Sequence, residues 1–231
     1  MIDQRISDRF VDRVSEAQQG SDYCSGDASW RDRLRSFINC IPDCEGPALV
    51  LGPGAGDECF LLQERGFEVS AIDIERQKTE HHEAMILHGV DLHVDTVMER
   101  MPFDDGSFGL LSSHHVLEHS LAPLVALCEY NRVLRTGGIL ALGVPPLSGS
   151  SVELHINNFS RPLVVYLLAA SGFDASRVRY SRADYDERFI VEKVTEPLRS
   201  LTFDGLSSLL PEQMIRYYPE TGNRELVDIF Q

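Results

Sequence analysis

Basic residues are scarce in this chain: 21 Lys and Arg stand against 36 Asp and Glu, for a formal net charge of −15. No cluster of Lys or Arg offsets that balance, and a phosphate backbone needs clustered cations, so no nucleic-acid partner is expected. Long apolar runs are missing too. The longest stretch, Pro162 to Ala170, is far short of the roughly 20 residues that a bilayer span requires, so no membrane partner is expected. The opening residues Met1-Ile-Asp-Gln-Arg5 lack the basic-then-apolar shape of an export signal, which points to a cytoplasmic protein. Cysteine is sparse and odd in number: Cys24, Cys40, Cys44, Cys59 and Cys128 read as reduced thiols. Cys40 and Cys44 have no second pair to complete a zinc site, and no metal is expected. His81, His82, His88 and His93 fall on a polar helical pattern and read as solvent-facing.

What remains is ordinary for a globular protein: 231 residues, 43% apolar and 25% charged, enough for one α/β domain with additions. Residues 1–46 are polar, with Phe10, Val11, Val14, Leu34 and Phe37 at roughly helical spacing, and are expected to form a helical cap. Residues 47–195 alternate. A strand at Ala48–Leu51 precedes a helix over about 57–65, closed by Gly66. A strand over 68–73, a helix over 75–88, and strands at 91–97 and 109–113 follow. A helix over 121–134 and a strand at 139–144 complete the alternation. Ser160 caps a further helix to Ser171, and strands at 176–180 and 189–194 flank a polar loop. The reading is α/β: a doubly wound, mostly parallel sheet with helices on both faces and an antiparallel edge pair. Residues 196–231 are expected to be short helices packed on the domain.

Three glycines at alternate positions, Gly52, Gly54 and Gly56, follow the first strand in Leu51-Gly-Pro-Gly-Ala-Gly-Asp-Glu58. Such a loop places backbone amides and a helix N-terminus beside a ligand. Asp73, at the end of the second strand, can accept hydrogen bonds from ribose hydroxyls. The pair suits any adenosine-bearing cofactor, NAD and S-adenosylmethionine alike. Asp57 stands where the dinucleotide fingerprint has its last glycine.

Three further segments are Met101-Pro-Phe-Asp-Asp-Gly-Ser-Phe108, Ser113-His-His-Val-Leu-Glu-His119 and Asn131-Arg-Val-Leu-Arg-Thr-Gly-Gly138. They resemble the class I S-adenosylmethionine-dependent methyltransferases, in the small-molecule branch with "LPFxDxSFD", "VLEH" and "RVLKPGG". The likeness runs over about residues 48–146 and implies a Rossmann-like methyltransferase domain. It further implies that the Gly52-Pro53-Gly54 turn and Gly56 pass under the methionine part of S-adenosylmethionine. Asp73 would hold the ribose, Ile74 would pack on adenine, and Asp95-Thr96 would lie near its amino group. Tyr23, with Trp30, would belong to a lid over the cofactor. His114 and His115, at the end of the fourth strand, would face the transferred methyl, His114 also bordering the cofactor. Either could serve as a base, with His119 and His155 as further candidates, and packing is the bland alternative for His119.

The chain departs from the family pattern at two places. Val50 stands where the family carries an acid that helps hold the methionine ammonium, with Asp57 or an amino-terminal residue as the expected substitute. Gly109 stands where the family has aspartate. The expected activity is methyl transfer to O or N of a small metabolite: a natural-product, sugar or quinone-like acceptor. A cofactor-binding but inactive partner protein is the alternative, and an NAD-dependent oxidoreductase ranks third. A homodimer is compatible with the sequence.

Overall fold

Strand β1 (Ala48–Leu51) is buried on both faces, as an apolar run without polar alternation requires of a central parallel strand. The computed structural model describes residues 28–75, 78–147, 155–183, 185–198, 201–218, 221 and 223–229. Around β1 lie β2 (Val69–Ile72), β3 (Asp91–His93), β4 (Phe108–His114), β5 (Leu134–Val144), β6 (Arg179–Ala183) and β7 (Asp186–Glu192). The seven strands run in the order β3-β2-β1-β4-β5-β7-β6. The first five pair in parallel, as in Val50 with Ala71 and Ser112, and β7 is antiparallel to both β5 and β6.

The period of two along each strand divides the core. Leu49, Leu51, Leu111, Leu140 and Leu142 pack against α4 (Pro123–Val133) and α5 (Arg161–Ala170). Ala48, Val50, Leu110 and Ala141 pack on the opposite face against α1 (Ala28–Asn39), α2 (Asp57–Glu64) and α3 (Glu80–Leu87), through Leu34, Phe37, Leu61 and Met85. Helices therefore cover both faces. The strand order reverses direction between β1 and β4, and in an open α/β sheet the ligand crevice lies outside the carboxyl ends of the strands at that switch point.

Several boundaries differ from the sequence reading, each for a physical reason. Helix α3 starts at Glu80, because Thr79 and His82 form a reciprocal capping box that fixes its first turn. Strand β5 begins at Leu134, where α4 passes directly into it, and Gly137 at φ 76° takes up the register shift opposite Phe108–Leu110. The edge hairpin is tighter than the polar loop suggested. Its charged residues extend the ladder because they are paired: Tyr180 with Glu187, and Arg188 with Asp186. Beyond residue 195 the expected helices give way to a mixture. A short helix α6 (Phe203–Leu206) and a 3-10 turn at 212–214 precede an antiparallel hairpin of β8 (Ile215–Tyr218) and β9 (Asn223–Leu226). A cross-strand ion pair, Arg216 to Glu225 at 3.1 Å, supports that hairpin. Leu206, Leu209, Leu210 and Met214 enter the same core as α5.

Candidate active site

Gly52, Gly54 and Gly56 hold φ angles of 57°, 52° and 89°, the left-handed region in which a side chain is strained. At Gly52 and Gly56 space forbids one as well. A Cβ on Gly52 would lie 2.9 Å from Val116 Cγ2, and one on Gly56 would lie 2.6 Å from Met85 Cγ. The loop is tied down at both ends, Gly52 N donating to Ile72 O at 2.9 Å and Gly56 N to Pro53 O at 2.9 Å. Gly56 then caps α2 without a side chain. Pro53 and Gly56 are buried, while Gly52 is exposed on the crevice loop.

Asp73 follows β2 and is half-buried. Its Oδ1 accepts from Glu75 N at 3.0 Å, and its Oδ2 lies 3.2 Å from His82 Nε2. Because Thr79 N donates to His82 Nδ1, the ring carries its proton on Nε2 and donates it to Asp73. His82 is thus buried and engaged, contrary to the solvent-facing expectation. The signal available in the sequence was Thr79-x-x-His82, a capping box with His in the Glu/Gln place. The neighbouring loop joins in: Thr96 N donates to Asp73 O, and Asp95 N to Glu75 O, with Asp95 itself at φ 55°. Asp73, Ile74, Asp95 and Thr96 are therefore brought together, as expected of one subsite.

Neither family departure leaves a gap. At Gly109 a Cβ would run into the carbonyl oxygen of Glu45, so the close approach of residues 45–47 to β4 demands glycine. Near Val50, the expected substitute Asp57 is taken by Arg31 at 3.2 Å. Its neighbour Glu58 is the buried acid instead. Val50 pairs with Ser112, and the Ser112 hydroxyl donates to Glu58. Burial pushes the Glu58 carboxyl up to about 7, against the opposing pull of that hydrogen bond and of the His115 charge.

The histidines gather at the carboxyl end of β4. His114 is packed between Trp30 and Phe37, at ring distances of 5.4 and 4.8 Å, and its side chain is 1% exposed. Burial lowers its pKa. Its contacts are those of a core residue. His115, at φ 56°, turns its Nε2 to Asp186 Oδ1 at 2.7 Å. His114 Nε2 stands 3.3 Å from the same oxygen without hydrogen-bond alignment. Burial works against a charged His115, but the Asp186 hydrogen bond and the Glu118 carboxylate outweigh it and raise its pKa. Asp186 is held well below the usual carboxylate range: burial opposes this, but both imidazoles and the Arg188 guanidinium prevail. Arg188 reaches further, donating to Ser36 Oγ at 3.2 Å and to Arg33 O at 3.3 Å, so β7 anchors α1 beside the histidine pair.

His119 closes the 3-10 turn Leu117–His119, and its ring stands 5.0 Å from that of His155. His155 is lowered by burial and by the nearby His119 and His115. Glu118 is buried, which raises its carboxyl. Tyr23 lies outside the described residues. Glu58, His82, Glu118 and Asp186 lie among these groups, and none of them was singled out as a site residue from the sequence.

Two of the recurring motifs prove to be one structural unit. Arg132 donates to Met101 O and Phe103 O and pairs with Asp105 and Glu129, stitching the 101–106 loop onto α4. Among the described residues no helix is long and apolar enough to cross a membrane.

Residues 49–142 match the family model described as a methyltransferase domain. The chain is 31% identical over 116 residues to an uncharacterized 37.1 kDa protein in transposon TN4556 of Streptomyces fradiae, covering 46% of this chain and 32% of that one. It is 32% identical over 96 residues to sarcosine/dimethylglycine N-methyltransferase of Halorhodospira halochloris, covering 39% of this chain and 34% of that one. The chain thus spans about a third of the length of these curated relatives. Among solved structures, the 1,6-didemethyltoxoflavin-N1-methyltransferase of Burkholderia thailandensis, with S-adenosylhomocysteine bound, superposes with a TM-score of 0.64 at 17% identity. That match covers 83% of this chain and 90% of the other. At that identity the likeness concerns the fold.

Proposed function

We propose that the protein transfers a methyl group from S-adenosylmethionine to a nitrogen or oxygen atom of a small metabolite, a reading supported by the match of residues 49–142 to a methyltransferase-domain family model. The observation that carries this reading is the pairing, at the switch point, of the left-handed glycine loop with Asp73 and the 95–96 loop. The loop would pass beneath the methionine part, Asp73 would accept from both ribose hydroxyls, and Ile74 would pack on adenine. Glu58 would supply the carboxylate that Val50 does not, so the departure at position 50 does not argue for an inactive protein. Nitrogen acceptors draw support from the names of the Halorhodospira and Burkholderia relatives.

The sulfonium methyl is already activated, so the chain's work is alignment and exclusion of water. Where the acceptor carries a proton, His115 is the base. Its Nε2–H is spent on Asp186, which fixes the tautomer and leaves Nδ1 to accept, the division of labour of a His–Asp pair. His114, enclosed by two aromatic rings, shapes the pocket floor.

Calorimetric titration with S-adenosylmethionine, S-adenosylhomocysteine and NAD tests the cofactor. Micromolar binding of the first two and none of NAD is expected, and the reverse pattern would overturn the reading. Release of S-adenosylhomocysteine, screened over small amines and hydroxy compounds, then identifies the acceptor. With it in hand, His115→Ala should cut turnover by about 10²-fold while leaving cofactor affinity intact. Turnover within a few-fold of wild type would leave alignment and desolvation as the source of the rate.

A further inference from the structure

We infer that Glu118, His119 and His155 form a binding site for a divalent first-row transition-metal ion. The central observation is Glu118. Its side chain is 0% exposed, and among the described residues neither carboxylate oxygen has a hydrogen-bond partner; the nearest charged neighbour, His115 Nδ1, stands 3.7 Å from Oε1, beyond hydrogen-bond reach. A carboxylate taken out of water without partners is among the costliest arrangements in a protein, and such groups are ordinarily paired or bound to a metal. Here the neighbours are metal-ligating groups. His155 Nε2 lies 3.9 Å from Glu118 Oε1, too far for a hydrogen bond. One donor atom each from Glu118, His119 and His155 falls within 4.8 Å of the other two. Ligands at about 2.0–2.2 Å from an ion stand closer together than that, so the loaded site contracts around the ion.

The frame around these three groups is built. Asn157 N donates to Glu118 O at 3.0 Å, and Asn157 Nδ2 donates to Glu118 O at 3.1 Å and to Ser120 O at 2.7 Å. These bonds clasp the segment after β5 onto the 3-10 turn and so hold His155 over Glu118. On the other side Ser120 Oγ donates to Glu99 Oε1 at 2.6 Å. Outer hydrogen bonds that fix ligand-bearing backbone are what a preorganised metal site requires.

The second histidine–acid group, His114, His115 and Asp186, is a poor competitor. Arg188 already neutralises Asp186, donating to its Oδ2 at 2.7 Å, and His115 occupies Oδ1. Among the ion pairs of the described residues Glu118 has no guanidinium or ammonium, only the imidazoles of His115 at 3.7 Å and His155 at 3.9 Å. Two imidazoles and one carboxylate favour Zn²⁺, Fe²⁺, Co²⁺ or Mn²⁺ over Ca²⁺ or Mg²⁺, which prefer oxygen alone. Three protein ligands leave positions open for an exogenous donor, and the site borders the crevice at the end of β4. The inference goes beyond the methyl-transfer reading and does not depend on it.

The test is titration of untagged, chelator-stripped full-length protein with Co²⁺ and Zn²⁺ by calorimetry, with the visible absorption of bound Co²⁺ as a second signal. Binding of one ion per chain with a dissociation constant in the micromolar range or tighter is expected. His155→Ala and Glu118→Gln should each weaken it at least tenfold, by loss of a direct ligand. His81→Ala, at an exposed histidine on α3, should leave it unchanged. Glu118→Gln keeps the side chain's size, and circular dichroism of each variant separates lost ligation from lost folding. No binding to the folded wild type, or equal binding by wild type and both ligand variants, would overturn the inference. Because no cofactor or acceptor is present, failure here is distinct from failure of the methyl-transfer reading.

Discussion

Glu58→Gln should change how stability depends on pH, with little change at acid pH. Burial beside Ser112 pushes the folded carboxyl up to about 7 from the ordinary 4.5. An acid whose pKa is raised on folding binds more protons folded than unfolded, so stability falls as pH rises through the interval between the two values. That interval, at about 1.36 kcal/mol per pH unit, amounts to about 3 kcal/mol, lost between about pH 4.5 and 7 and fully absent above it. Glutamine cannot ionise and can still accept from Ser112, so the variant should hold its stability across the same range. The two proteins should melt alike near pH 4.5 and diverge by about 6–12 °C at pH 8, taking the usual 2–4 °C per kcal/mol for a chain of this size. Thermal melts of the cofactor-free proteins at half-unit pH steps measure it. Melting curves that stay parallel from pH 4.5 to 8 would refute the buried-acid argument. The same variant should bind S-adenosylmethionine more weakly if Glu58 serves the ammonium.

Two further outcomes follow from the crevice geometry. Asp73→Ala should weaken S-adenosylmethionine binding at least tenfold by calorimetry, since hydrogen bonds to a charged group contribute about 1.5–3 kcal/mol each; an unchanged constant would place the ribose elsewhere. Gly56→Ala should destabilise the fold by roughly 2–5 kcal/mol in denaturant titration, combining a left-handed alanine with overpacking against Met85; a loss below about 1 kcal/mol would show that the loop relaxes freely.

The residues that were readable in the sequence are those whose chemistry is local. The glycines announce positive φ, Gly66 and Ser160 announce helix ends, and apolar period announces β1 and β4. Asp73 was legible because its distance from the glycine loop is set by one βαβ unit. Glu58 was not, because an acid in a helix's first turn reads as a favourable surface charge until Ser112 arrives from β4 to bury it. Asp186 looked like part of a polar loop, and only its partners Arg188, His114 and His115 make it strand. His155 belongs beside Glu118 through the Asn157 clasp, a contact between segments 37–39 residues apart. The C-terminal hairpin was missed because its strands are only four residues long and contribute one apolar cross-strand pair, Ile215 with Leu226, too little for a period of two to show.

The anchoring of α1 by β7 has a consequence for the order of assembly. The apolar face of α1 meets α2 and β1 soon after they are made. Its polar fastenings to the edge hairpin wait for partners far downstream: Ser36 for Arg188, 152 residues later, and Cys40 O, just past the helix, for Arg179, 139 residues later. At about 5–20 residues per second, ribosomal synthesis delays those bonds by roughly 7–30 s. Until then α1 is held by its hydrophobic contacts and by the Arg31–Asp57 and Arg35–Glu64 ion pairs to α2. In the finished molecule, opening of the β6–β7 hairpin removes the same fastenings and leaves α1 held by α2 and β1 alone, so the amide hydrogens of α1 should exchange faster whenever the hairpin opens, although 139–152 residues separate the bonded partners.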